Sequence, residues 1–104
     1  MKQQLLMIRK KLRMMDITIF QTPDFGDVKG YRQVYSFTIE AKDHVSALER
    51  TFKMFNVQDT MPDDYAARYV RTGDIVFIDE GRRGQEYYRL HSGGWKRINR
   101  IHVR

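Results

Sequence analysis

Asp74-Ile75-Val76-Phe77-Ile78-Asp79 decides the architecture of this 104-residue chain. Its four middle residues are continuously apolar, the mark of a strand covered on both faces and therefore placed inside a sheet. Downstream, EGRRGQ (80–85) brings Gly81 and Gly84 and leads into EYYRLH (86–91), which predicts a hairpin with a longer loop. Gly93-Gly94 makes another turn before WKRINRIHV (95–103), a last strand whose alternation fades after Ile98. Upstream, DITIFQ (16–21) reads as a first strand, and TPDFGDVKG (22–30) carries the Pro, Asp and Gly of a loop. From Tyr31 to Glu40 the pattern alternates. Tyr31, Gln33, Tyr35, Phe37 and Ile39 fall on one face; Arg32, Val34, Ser36, Thr38 and Glu40 fall on the other.

Helical spacing takes over after the second strand. Val45, Leu48, Phe52 and Phe55 recur on one stripe behind Asp43, a suitable N-cap, and Asn56 suits a stop; a helix over 44–55 is expected to cover the sheet. Pro62 followed by Asp63 and Asp64 predicts a short helix over 63–69. At the amino end Leu5, Ile8, Leu12 and Met15 form an apolar stripe among cations, which predicts a basic amphipathic helical extension over 1–15 ahead of an α+β domain over 16–104. The fold class expected is therefore α+β: a small mixed or antiparallel sheet of about five strands, packed by one main helix and preceded by that extension.

Composition narrows the function classes. Hydrophobic residues make up 41% and aromatics 12% of the chain, enough for one modest core, and no apolar run approaches the roughly 18 residues of a membrane span. The absence of cysteine excludes a disulfide framework and cysteine nucleophiles, and fits a cytoplasmic setting. Net charge is +6 but uneven: residues 1–15 and 89–104 each carry +5 with no acid, around a middle of −4. Such ends attract anionic partners, and equally suit a protein surface of mixed sign.

Catalytic motifs are missing. There is no glycine-rich phosphate loop with its lysine, no paired-histidine zinc motif and no nucleophile elbow, so no cofactor or metal is expected. His44, His91 and His102 are too scattered to form a ligand set, and the adjacent acids Asp63–Asp64 and Asp79–Glu80 read as solvated turn acids. Functional chemistry concentrates at the carboxyl end, where Tyr87, Tyr88, Arg89, Trp95, Lys96, Arg97 and Arg100 interleave rings with cations. Together with Arg9, Lys10 and Lys11, the residues Arg89, Trp95, Lys96, Arg97 and Arg100 are the candidate contacts to a protein or a nucleic acid. The same segment also reads as a hairpin with core positions Tyr88, Leu90, Trp95 and Ile98.

The order of segments resembles the YodL-like domain family. DITIFQ, QVYSF, ALERTFKMFN, the Pro-Asp-Tyr region, VRTGDIVFID and YYRLHSGGWKRI follow that family's pattern from about Asp16 to Ile98, with Leu48, Glu49, Phe52, Phe55, Asn56, Gly73, Asp74, Val76, Gly94, Trp95 and Ile98 carrying it. Tyr88 to Ser92 depart from it, and Trp95 stands for a phenylalanine. The resemblance implies small proteins of Gram-positive bacteria, their phages and conjugative elements, with no catalytic activity attached. From that setting comes the expectation of a non-enzymatic protein that binds, and modulates or inhibits, a host protein or nucleoprotein machine, a CRISPR-type effector nuclease among them. A nucleic-acid-binding accessory protein and a metal-free, toxin-like ribonuclease are the alternatives. Monomer and dimer both stay open.

Overall fold

A computed structural model describes residues 11–99. The apolar run at 74–79 supplies β3 (Ile75–Asp79), the middle strand of five. Beside it run β1 (Arg13–Gln21) and β4 (Gln85–His91), with β2 (Arg32–Ala41) and β5 (Gly94–Ile98) at the edges. The order is β2-β1-β3-β4-β5, and every neighbouring pair is antiparallel. Because Asp16, Asp79 and Gln85 align in register, and Tyr87 with Ile98, the start of β1 and the end of β5 lie at the same end of the sheet.

One helix, α1 (His44–Met54), covers one face. Asp43 caps it by accepting a hydrogen bond from the Ser46 amide at 2.8 Å, satisfying a donor the helix cannot use internally. Ala47, Leu48 and the flanking Phe55 press onto Met15, Ile17 and Ile19 of β1, Ile39 and Ala41 of β2, and Val76 and Ile78 of β3. On the opposite face Phe20, Tyr31 and Ile75 form a smaller cluster, extended by Phe77, Tyr87 and Ile98.

The loop joining α1 to β3 is fixed by a buried polar knot. The Asp74 carboxylate, 1% exposed, accepts two hydrogen bonds from Arg68 at 2.7 and 2.8 Å and a third from the Arg71 amide at 2.9 Å. Gln21, at the end of β1, donates to the same carboxylate at 3.0 Å and touches the Tyr65 hydroxyl. Burial raises the Tyr65 hydroxyl above its ordinary range, with the Asp74 charge adding to the effect. A buried charge is tolerable only when so fully bonded.

Four expectations need correction. The extension expected as a helix over 1–15 lies outside the described residues for its first ten positions, and Arg13–Met15 are instead the first residues of β1, where Met15 is fully buried opposite Ile39. No helix forms over 63–69: the chain makes a turn, closed by the Tyr65 amide on the Pro62 carbonyl, and then runs irregularly because Tyr65 and Arg68 are committed to the knot. In β2 the alternation breaks at a bulge. Ile19 faces Tyr35 but Phe20 faces Gln33, so the extra residue Val34 joins the helix-side core, while Tyr31 packs with Phe20 and Ile75 on the other face. Lastly, α1 buries Ala47, Leu48 and Thr51, with Phe55 buried just beyond its end, and leaves Val45 and Phe52 out of the core.

Candidate functional site

Val45 and Phe52 are 64% and 39% exposed, although they are the apolar residues that helical spacing assigns to the core. The physical reason is lateral. One helix, about 10 Å across, cannot cover five strands spaced about 4.8 Å apart. Since α1 sits against β2, the half of the same face made by β4 and β5 is left open. Between the flank of α1 and that half-sheet lies an open groove of about 610 Å³. Val45, Glu49 and Phe52 stand on the helix side, and Tyr88, Leu90 and Trp95 on the sheet side. Leu90 and Trp95 are cross-strand partners that also pack against the edge of the main core.

A polar chain closes the groove at the start of α1. Glu80, with 6% of its side chain exposed, accepts from Arg13 Nε at 2.6 Å and from His44 Nε2 at 2.7 Å. His44 Nδ1 lies 2.6 Å from the Tyr88 hydroxyl. The Arg13 hydrogen bond, joined by that of His44, holds Glu80 below the usual carboxylate range against the opposing effect of burial. Ionised Glu80 keeps a proton on His44 Nε2, so Nδ1 accepts from the Tyr88 O–H; this tautomer is assigned from the bonding pattern. Burial, together with the Glu86 charge, raises the Tyr88 hydroxyl above its ordinary range. The acid pair Asp79–Glu80 is thus not simply solvated, whereas Asp63 and Asp64 are exposed turn residues, Asp64 accepting from the Tyr35 hydroxyl at 2.7 Å.

Strand parity divides the carboxyl-terminal cluster. Tyr88, Leu90 and Trp95 belong to the helix-side face; Tyr87 and Ile98 belong to the other, where Tyr87 lies 4.5 Å from Phe77 between ring centroids. Arg97, opposite Tyr88, therefore shares the groove face and is largely exposed, 3.7 Å from Glu86. Arg89 and Lys96 are opposite each other on the far face, Lys96 exposed and Arg89 half-buried. Of the amino-terminal candidates Lys11 is exposed beside Arg13, Lys42 and Arg83; Arg9, Lys10 and Arg100 lie outside the described residues. The structure thus brings Trp95 into the groove, places Arg97 on the same face of the sheet, and separates Lys11, Arg89 and Lys96 from it. Sequence reasoning missed the chain Arg13–Glu80–His44–Tyr88, whose bonded neighbours are 36 to 67 residues apart and form no local pattern.

Among the described residues no helix is long and apolar enough to cross a membrane. No solved structure matches this chain. A curated relative, the uncharacterized protein YodL of Bacillus subtilis (strain 168), is 53% identical over 95 residues, covering 91% of each chain. The model of the YodL-like domain matches residues 2–100, extending the likeness seen from Asp16 to Ile98 over most of the amino-terminal extension, and the chain belongs to that family.

Proposed function

We propose that this chain is a non-enzymatic binding domain that engages a host protein, alone or within a larger assembly, by seating an apolar segment of it in the groove between α1 and the β4–β5 hairpin. The observation that carries this reading is Phe52, a large apolar side chain held at the groove together with Val45 and Trp95. Covering the 39% of Phe52 that is still exposed adds about 1 kcal/mol, and an aromatic anchor of this kind is where interface energy concentrates. Capture on the immobilised chain from a Bacillus subtilis extract tests it. The expected result is a stoichiometric protein retained by the wild type and lost with Phe52→Glu. Recovery of the same protein with both chains, or of RNA or DNA in its place, overturns the proposal; the second outcome is the one that a nucleic-acid-binding accessory protein predicts.

One observation favours a second, enzymatic reading. Glu80, His44 and Tyr88 stand in the order orienting acid, base and hydroxyl, each contact within hydrogen-bond reach, which is the arrangement that activates a nucleophile or a general acid. A ribonuclease would also need a cation at the reacting phosphate, and the groove offers Lys53 on its helix side. RNA cleavage without added metal, abolished by Tyr88→Phe in a chain that still folds, would establish this reading; no cleavage by the wild type removes it.

A further inference from the structure

We infer that the groove takes its partner as an extended strand added to the free edge of β5, with apolar residues at every second position and carboxylates between them. The inference rests on the groove reading and deepens it. β5 is an outer strand of the sheet, and within the described residues nothing pairs with its far side. The orientation of its backbone follows from its neighbour. Leu90 donates its N–H to the Asp74 carbonyl at 2.9 Å and accepts from the Gly73 amide at 2.7 Å, so both its backbone groups face β3. Leu90 and Trp95 are therefore a non-hydrogen-bonded pair, and by the alternation of an antiparallel ladder so are Tyr88 and Arg97. The N–H and C=O groups of Trp95 and Arg97 consequently point away from the sheet. They are the groups a further strand would bond, and they belong to the same residues whose side chains stand on the groove face.

Such a strand supplies the side that the groove lacks. Every second side chain of it would lie on the groove face beside Trp95, opposite Val45 and Phe52, as in strand addition at a sheet edge. The side chains between would share the far face with Lys96. Charge selects the occupant. A second copy of this chain pairing antiparallel across β5 would set Lys96 against Lys96, or Arg97 against Arg97, in the registers centred on those residues, and like charges opposed across strands are destabilising. A strand whose carboxylates lie on the far face meets Lys96 favourably there.

Display of random twelve-residue peptides against the full chain, followed by fluorescence anisotropy with synthetic copies of the selected peptides, tests this. Enrichment of peptides with apolar residues at alternate positions and Asp or Glu between them is expected. Arg97→Pro removes an outward N–H without removing a bond to β4, and proline is tolerated at such edge positions. It should weaken binding by about tenfold or more, whereas Arg97→Ala, which keeps the N–H, costs about threefold. Peptides N-methylated on alternate backbone nitrogens give the same information with the wild-type protein: one set of positions loses binding and the other does not. If the selected peptides carry apolar residues three and four apart, and lose binding with Phe52→Glu but not with Arg97→Pro or N-methylation, strand addition is wrong and the groove reading stands. Indifference to both Phe52→Glu and Arg97→Pro, or no enrichment at all, overturns both. A dimer by light scattering that Arg97→Pro converts to monomer shows a second copy on β5 and overturns the inference.

Discussion

Glu80 joins three elements through two carboxylate oxygens, one on Arg13 of β1 and one on His44 of α1, while the residue itself directly follows β3. Hydrogen bonds to a charged group in so shielded a place are worth more than those of surface pairs. Replacing Glu80 with Gln keeps the shape and removes the charge, and should cost about 1–2 kcal/mol at neutral pH, lowering Tm by roughly 5–15 °C for a domain of this size. Because the folded state holds Glu80 below its ordinary 4.5, the carboxylate's contribution is complete above that value and is lost as pH falls through the depressed one. The Tm difference between wild type and Glu80→Gln should therefore close in acid; a difference that persists in strong acid contradicts the assignment. Glu80 was illegible in the sequence because its partners are remote: an acid followed by Gly81 looks like any turn residue. Asp74 was legible only as a pattern position; its bonds to Arg68 and Gln21 emerge once the strands are in place.

The helix α1 separates what local spacing determines from what it does not. Its extent and its cap were readable because Asp43, the apolar spacing and the stop near Asn56 act within a few residues of one another. Its buried face was not. Whether Val45 and Phe52 are covered depends on which strands lie beneath, and that is set by the strand order and not by the helix. The same holds for β2, where alternation was visible but the bulge that flips Tyr31 depends on pairing with β1. Two phenylalanines three residues apart should accordingly behave differently. Phe55, fully buried among Tyr35, Phe37 and Tyr65, should cost about 3–5 kcal/mol on substitution by Ala. Phe52→Ala should cost about 1 kcal/mol or less by urea denaturation. Equal losses would place Phe52 in the core and remove the groove's anchor.

At the scale of the whole sheet, the described part of the ring-and-cation segment resolves into two separate surfaces. The segment after Tyr87 reads as one cluster along the chain, yet strand alternation sends Trp95 and Arg97 to the helix-side face and Arg89 and Lys96 to the opposite face, beside Phe77 and Tyr87. The five strands and the main helix were legible because each strand announced itself by alternation, a continuous apolar run, β-branched residues or bounding glycines, whereas the short helix expected over 63–69 does not form. Which side chains meet was not legible, since His44 comes from α1, Tyr88 from β4 and Glu80 from just after β3, and the groove from the relation of Leu90 and Trp95 to a helix that covers only part of the sheet. That partial cover is the basis for expecting a protein partner at the groove, and chemical-shift mapping on the 15N-labelled chain reads it directly. On titration with the captured partner, shifts concentrated at Val45, Leu48, Phe52, Leu90 and Trp95 are predicted. Shifts confined to Phe77, Tyr87, Arg89 and Lys96 on the far face would contradict it.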